Sequence, residues 1–282
     1  MKTHTNHYIS TKDFLVSGES FDLVEDKTLK ILVTNPQPKA SDLPKYYESD
    51  AYISHSDSSK GIVATLYKLV KNYSLKKKLD LVNSLAQKKG NLLDIGCGTG
   101  AFLKTVKNSS WECDGVEPNS SARKLAHEKN LSVFSSLEDL PGTKKYDVIT
   151  LWHVLEHLPN LKESIYKIES LLKPNGILII AVPNYKSFDA NYYKEFWAAY
   201  DVPRHLWHFS MASMKILFSE KTQLIKTKPM IFDSFYVSLL SEKYKNKSSF
   251  SIRAFFIGLW SNMRAWQTKE YSSLIYCFKK NN

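Results

Sequence analysis

The chain has 282 residues, 43% hydrophobic and 24% charged, a composition that fits an ordinary folded protein and excludes fibrous and disordered classes. Its net charge of +11 comes from 39 basic and 28 acidic residues. Arginine is confined to Arg123, Arg204, Arg253 and Arg264, whereas nucleic-acid readers rely on arginine at base edges, so the excess is read as a solvated basic surface and a nucleic-acid partner is not favoured. Cys97, Cys113 and Cys277 form no spaced pair of the kind that metal sites or disulfide frameworks use, which suits a reducing cytoplasm. The first residues lack the apolar core of a signal peptide, and no run of about 18 apolar residues suggests a spanning helix.

Residues 1–60 read as a small N-terminal module. Alternation over Phe21–Val24 and Leu29–Val33 predicts two short strands, Pro36 and Pro38 interrupt any regular structure beyond them, and 43–57 reads as a loop or short helix. Over 62–89 the apolar residues Ile62, Leu66, Leu69, Val70, Leu79, Leu81, Val82 and Leu85 fall at helical spacing with lysines on the other face. Strands and helices then alternate. Asn91–Ile95, Cys113–Glu117, Leu131–Phe134, Tyr146–Leu151 and Ile177–Val182 read as strands, with helices at Ala101–Val106, Ser120–Glu128 and Leu161–Leu172 between them. Such repetition predicts an α/β fold with a mostly parallel sheet covered on both faces. Beyond Pro183, residues 184–210 are rich in Tyr, Trp, Phe and His without a period. Met211–Ser219 reads as a helix, Gln223–Ile231 as a strand, 233–268 as a helical insertion and Ser272–Phe278 as a last strand.

The strongest motif is Leu92-Leu93-Asp94-Ile95-Gly96-Cys97-Gly98-Thr99-Gly100, a buried strand running into a glycine turn that opens a helix. Glycines there allow a tight turn and close approach of backbone to a ligand. The third glycine comes one place too early for the dinucleotide pattern GxGxxG, which argues against a dehydrogenase. Asp94 before the glycines suits a cationic amino-acid ligand better than a pyrophosphate. Glu117 ends the next strand, where a carboxylate can bridge two ribose hydroxyls.

LLDIGCGTGAFL, GVEPN, YDVITLWHVLEHL and LKPNGILIIAVPN, in that order, resemble the successive motifs of class I methyltransferases that use S-adenosylmethionine (SAM), and Glu156-His157-Leu158 is similar to ubiquinone-type O-methyltransferases. The resemblance implies a Rossmann-like sheet of seven strands with the last antiparallel, in a methyltransferase domain over 61–282. It implies SAM as cofactor, bound by Asp94, Gly96, Cys97, Gly98, Gly100, Glu117, Pro118, Leu137, Trp152 and His153, with the three glycines at the methionine part, Glu117 at the ribose, the Leu137 backbone beside the adenine, and Trp152 and His153 closing over the cofactor. The front of the chain resembles a zinc-ribbon-like segment of some relatives, but Asp26 and Leu29 stand where a CxxC would be, so no metal is expected.

Two constellations are candidates for the acceptor side. His157, just after the fourth strand, has the unperturbed pKa of about 6.5 that suits a general base, or it is a histidine satisfied by a carbonyl. The stretch Trp197–Phe209 brings Asp201, Arg204, His205 and His208 among aromatics. Arg204 can clamp an anionic acceptor, with Trp197 and His208 beside it, and His205 can act as base oriented by Asp201; alternatively the stretch is a packed loop with a structural Asp–Arg pair. Residues Ser249–Trp266 carry apolar side chains at helical spacing, and such stripes more often pack into a core than lie on a membrane. The function so read is methyl transfer to a small molecule, glycan or lipid precursor, oxygen being the favoured atom. An RNA methyltransferase and a non-catalytic SAM- or nucleotide-binding protein are the alternatives.

Overall fold

The structure, a computed structural model, describes residues 5–39, 41–47, 62–247 and 251–282. The expectations for 48–57, for Ser249 and Phe250, and for the side chains of Ile62, Leu66 and Leu69 lie outside the described residues.

Eleven strands form two sheets among the described residues. The larger has the order β10-β11-β8-β7-β4-β5-β6, with β4 at Asn91–Ile95, β5 at Glu112–Val116, β6 at Ser132–Phe134, β7 at Tyr146–Trp152 and β8 at Leu172–Pro183, all parallel. β11 (Ser273–Lys280) runs antiparallel to both β8 and β10 (Thr222–Pro229). The last strand in the chain is thus the reversed one, wedged between its neighbours, as the family resemblance implied. Because both faces of this sheet are covered, successive strand residues feed two different cores. Leu93, Ile149 and Ile180 join one cluster with Leu161, Ile165 and Ile168 of α4 (Leu161–Leu171). Leu92, Val148 and Ile179 join the other, with Phe102, Leu103 and Val106 of α2 (Ala101–Lys107) and Leu81 and Val82 of α1 (Ile62–Leu85). Helix α3 (Ser120–His127) starts where the Asn119 side chain accepts a hydrogen bond from the Ala122 amide, an ordinary N-cap.

The smaller sheet is antiparallel, with the order β1-β2-β3-β9. Besides β2 (Ser20–Asp26) and β3 (Ile31–Asn35) it contains β1 (Thr5–Lys12), which the alternation of the sequence did not reveal, and β9 (Trp207–His208), which comes from the far end of the aromatic stretch. A third core lies beneath it. Phe21, Leu23 and Leu32 pack there on Tyr185, Tyr193, Trp197 and Tyr200. The N-terminal segment is therefore clamped onto 184–210 at its outer edge.

After β8 come the short helices α5 (Phe188–Tyr193) and α6 (Met211–Met214), then the pair α7 (Asp233–Asn246) and α8 (Ile252–Thr268). In α8 the expected packing is inverted. Its buried residues are Ala254, Gly258, Ser261 and Ala265, Ile257 is half-buried against the third core, and its other large apolar residues are exposed. No helix among the described residues is long and apolar enough to cross a membrane.

Candidate active site

The C-terminal ends of β4, β5 and β7 converge on the glycine turn. Gly96, Gly98 and Gly100 all have left-handed backbone, at φ 71°, 54° and 76°. Their surroundings differ. A Cβ on Gly96 would stand 2.3 Å from Val154, and one on Gly100 would stand 2.4 Å from Leu131, so both are small because protein is packed on them. A Cβ on Gly98 would meet nothing within 4 Å. Gly98 faces open space, and its amide donates to Glu117 Oε2 at 2.9 Å. Glu117 Oε1 accepts from the Asn119 amide at 2.9 Å, which fixes the carboxylate at the end of β5. The Pro118 carbonyl is taken by Arg123. Cys97 turns its side chain into the core, where it fills the space that a Cβ on Gly115 would occupy. The thiol thus packs the turn; burial raises its pKa well above the usual thiol range.

Asp94 is buried and accepts from Thr150 Oγ1 at 2.6 Å. Burial pushes its carboxyl up to about 7, opposed by the Thr150 hydrogen bond and by the charge of Lys78 on α1, and assisted by the Glu117 charge. Lys78 lies 4.3 Å from the centre of the Trp152 indole, and burial lowers its own pKa. Trp152 in turn meets Phe102 edge-on. Leu137, on the loop after β6, is half-buried against the first core. His153 has left-handed backbone at φ 58° and stands between two carboxylates, with Nδ1 3.4 Å from Glu156 and Nε2 3.2 Å from Asp233 at the start of α7. Burial opposes protonation, but the two acids outweigh it and raise the imidazole to about 10.

One ligating atom each from Glu156, His157 and His205 lies within 4.8 Å of the others. The two imidazoles meet edge to face at 4.6 Å. His157 Nδ1 lies 3.0 Å from the Arg204 carbonyl oxygen, and His205 Nδ1 lies 2.9 Å from that of Ala199. A carbonyl only accepts, so both Nδ1 atoms donate, and each ring keeps its Nε2 lone pair for something else. Glu156 is 1% exposed, and neither carboxylate oxygen has a hydrogen-bond partner among the described residues. Its pKa is low because, against burial, His153 and the neighbouring imidazoles favour the charged form. Burial and the charge of His205 depress His157 to about 4, although Glu156 and Asp201 pull the other way. A carboxylate and two imidazoles are donors that can move protons or hold a divalent cation.

The remaining predicted residues require correction. Asp201 does not orient His205: it lies 3.9 Å from Nε2, and the Ala199 carbonyl fixes the ring instead. Asp201 is bound to Arg204, through Nε at 3.0 and 3.1 Å and Nη2 at 2.7 Å. Arg204 is 1% exposed; Nη1 donates to the Tyr46 carbonyl and Nη2 to Asp13. With its guanidinium spent on Asp201 and the N-terminal segment, Arg204 is no clamp for an anionic acceptor. Trp197 Nε1 donates to Asp189, and His208 Nε2 pairs with Thr34 Oγ1. Trp197, His205 and His208 do share the wall of one narrow crevice with Pro183, Tyr185, Ala199 and Trp207. The crevice leaves no room for even a water-sized sphere, so it is not a ready-made pocket for an acceptor.

Sequence reasoning missed Lys78, Asp233, Tyr47 and Asp13. Tyr47 Oη lies 3.2 Å from His157 Nδ1. Lys78 sits in a lysine run that reads as a solvated face, and Asp233 opens a helix far along the chain, so neither carries a local signal.

A family model described as a methyltransferase domain matches residues 70–224. The chain is 29% identical over 143 residues to the ubiquinone biosynthesis O-methyltransferase of Rickettsia bellii, covering 47% of this chain and 59% of that protein. It is 34% identical over 115 residues to the protein of that name from Actinobacillus pleuropneumoniae, covering 36% and 48%. The matched region thus spans about half the length of these curated relatives. Among solved structures, magnesium protoporphyrin IX methyltransferase from Synechocystis PCC 6803 superposes with a TM-score of 0.56 at 14% identity, over 86% of this chain and 100% of that one. A cyclopropane synthase from Mycobacterium tuberculosis gives 0.51 at 13% identity, over 72% and 83%. At such identities the likeness concerns the fold. Since the family model spans more than half of the chain and every strand from β4 to β9, the chain belongs to the methyltransferase domain family, the class I enzymes that use SAM.

Proposed function

We propose that the protein transfers the methyl group of SAM to a hydroxyl oxygen of a small molecule, glycan or lipid precursor, with His157 as general base. The residues at the glycine turn fit the cofactor. Gly98 leaves a cradle that any Cβ would fill. Glu117 has accepted one amide on each oxygen and keeps lone pairs for ribose hydroxyls. Asp94 is a buried acid lacking a full counter-charge, and a cationic ligand beside it favours its ionised form. Bound SAM supplies an electrophilic methyl on a sulfonium, so the chain's tasks are alignment, exclusion of water and removal of one proton.

The observation that carries the reading is the pair of imidazoles, each pinned through Nδ1 to a backbone carbonyl, beside a buried carboxylate whose counter-charge is His153. His157 is neutral at neutral pH and so is ready to accept a proton at Nε2. A hydroxyl becomes strongly acidic as its oxygen bonds to carbon, so a weak base is sufficient late in the transfer. The imidazolium that forms lies close to the Glu156 carboxylate, which stabilises it. Asp201 is a positioning residue. It holds the Arg204 side chain, and the Arg204 carbonyl sets the His157 ring. The ubiquinone O-methyltransferase relatives support oxygen as the acceptor atom.

The test is release of S-adenosylhomocysteine with a panel of phenolic, sugar and lipid-linked hydroxyl acceptors. His157→Ala is expected to lower kcat by roughly 10²–10⁴ with SAM affinity kept. Turnover equal to wild type in both His157→Ala and His205→Ala, with a true acceptor, would remove both histidines from the chemistry.

A further inference from the structure

We infer that the α7–α8 hairpin is a docking surface for an anionic membrane, on which it lies flat. The two helices are held together by small residues. Gly258 lets α8 approach so closely that a Cβ there would stand 2.9 Å from Phe235 Cα. Ser234, Ser238 and Ser241 of α7 and Ala254, Ser261 and Ala265 of α8 are all buried. With the small side chains inside, the large ones are left outside. Ile252, Phe255, Phe256, Leu259, Trp260, Met263 and Trp266 are between 40% and 66% exposed. At 100° per residue they form a stripe about 140° wide along the whole helix. Phe232, Tyr236 and Leu239 extend it onto α7.

Taking roughly 200 Å² per large side chain, the α8 stripe alone exposes on the order of 700 Å². That exceeds the contiguous apolar patches usual on soluble monomers. Propensity and packing therefore produce an amphipathic helix whose apolar side faces away from its own protein.

Charge identifies the partner. Lys243, Lys245, Lys247, Arg253, Arg264 and Lys269 are all exposed around this surface. Its carboxylates are drawn inward: Asp233 pairs with His153, Glu242 is buried, and Glu270 accepts from Asn184. Arg264 stands along one flank of the stripe, about 110° from its centre, where a long basic side chain reaches phosphate while the apolar face enters the acyl boundary; Arg253 on the same flank is held by Glu242 and the Tyr192 hydroxyl. A second copy of the chain would bring a second set of these cations against the first, which disfavours self-association. At 17 residues, α8 is about 25 Å long, which suits a helix lying in the interface.

The surface is joined to the candidate active site. Asp233, in the first turn of α7, holds His153, and Phe232 meets Tyr73 of α1 edge-on. Docking would set the mouth of the site at the lipid headgroups. Neither the identity of the acceptor nor the role of His157 bears on the docking.

The full chain is to be sedimented with vesicles of phosphatidylcholine alone and with vesicles that also contain phosphatidylglycerol. It is expected to pellet with the anionic vesicles and to be released by salt. Phe256→Ser with Trp260→Ser is expected to weaken partitioning on the order of 100-fold, and Lys243→Gln with Arg264→Gln about 10-fold, both at an unchanged thermal midpoint. The inference is overturned if the chain stays in solution with anionic vesicles, or if binding survives the double aromatic substitution. It is equally overturned if sedimentation velocity shows a dimer that this substitution separates, since the stripe would then be a protein interface.

Discussion

Asp94→Asn separates the role proposed for Asp94 toward SAM from its effect on the fold. Its carboxyl is raised from 3.8 to about 7, chiefly by burial. For an acid raised in the folded state, the unfolded chain loses its proton first as the pH climbs. Stability therefore falls between about pH 4 and pH 7 and levels off above that. At about 1.4 kcal/mol per pKa unit, the wild type should lose about 3 kcal/mol between pH 5 and pH 8.5 through this group alone. Asparagine keeps the Thr150 hydrogen bond, which measures 2.6 Å in the wild type, and does not titrate. Urea unfolding at the two pH values, in both proteins, isolates the effect because other groups are common to both. The variant should gain on the wild type by about 3 kcal/mol as the pH rises while binding SAM more weakly. A stability difference that does not change with pH would refute the reasoning about burial.

Gly98→Ala should weaken SAM binding at least 10-fold and cost only about 1 kcal/mol of stability, since only backbone strain opposes it. Gly96→Ala should cost more, because its Cβ meets Val154 at 2.3 Å; calorimetry and urea unfolding compare the two. Arg204→Met should destabilise the chain by about 3 kcal/mol because the buried Asp13 carboxylate loses its counter-charge and keeps only the amide donors of the turn after it, which a thermal melt would register. The His153 imidazole is raised to about 10 by Asp233 and Glu156 against burial. Its stabilising effect is complete below about pH 6.5 and is lost as the pH rises toward 10, so Asp233→Asn should flatten the stability profile of that window. Metal analysis of the purified chain should find no stoichiometric zinc in the N-terminal segment, whose described residues contain no cysteine.

The parallel core was legible because its signals are local. Buried strands such as Ile177–Val182 are continuous apolar runs, and the turn Gly96–Gly100 requires residues that tolerate positive φ. The place of Glu117 just beyond β5 was legible for the same reason, since it stands a fixed distance along one βαβ unit. What the sequence concealed is long-range pairing. Arg204 finds Asp13 across 191 residues, and β9 is a two-residue strand whose only register is set by β3; neither has a periodicity to read. The α8 stripe was visible as a period, but its direction was not. A helical period tells which residues share a face, and only the partner decides whether that face turns inward. Here Gly258 and its small neighbours claim the inner side, contrary to the expectation that the aromatics would pack.

The glycine turn, Asp94 and Glu117 are proposed to hold SAM together, and isothermal calorimetry of the folded chain at pH 8 is the test of that claim. One molecule of SAM, or of S-adenosylhomocysteine, should bind per chain, with binding sharply reduced in Gly98→Ala and in Glu117→Gln. No heat with either compound, from a protein whose far-ultraviolet circular dichroism shows the fold intact, would contradict the claim.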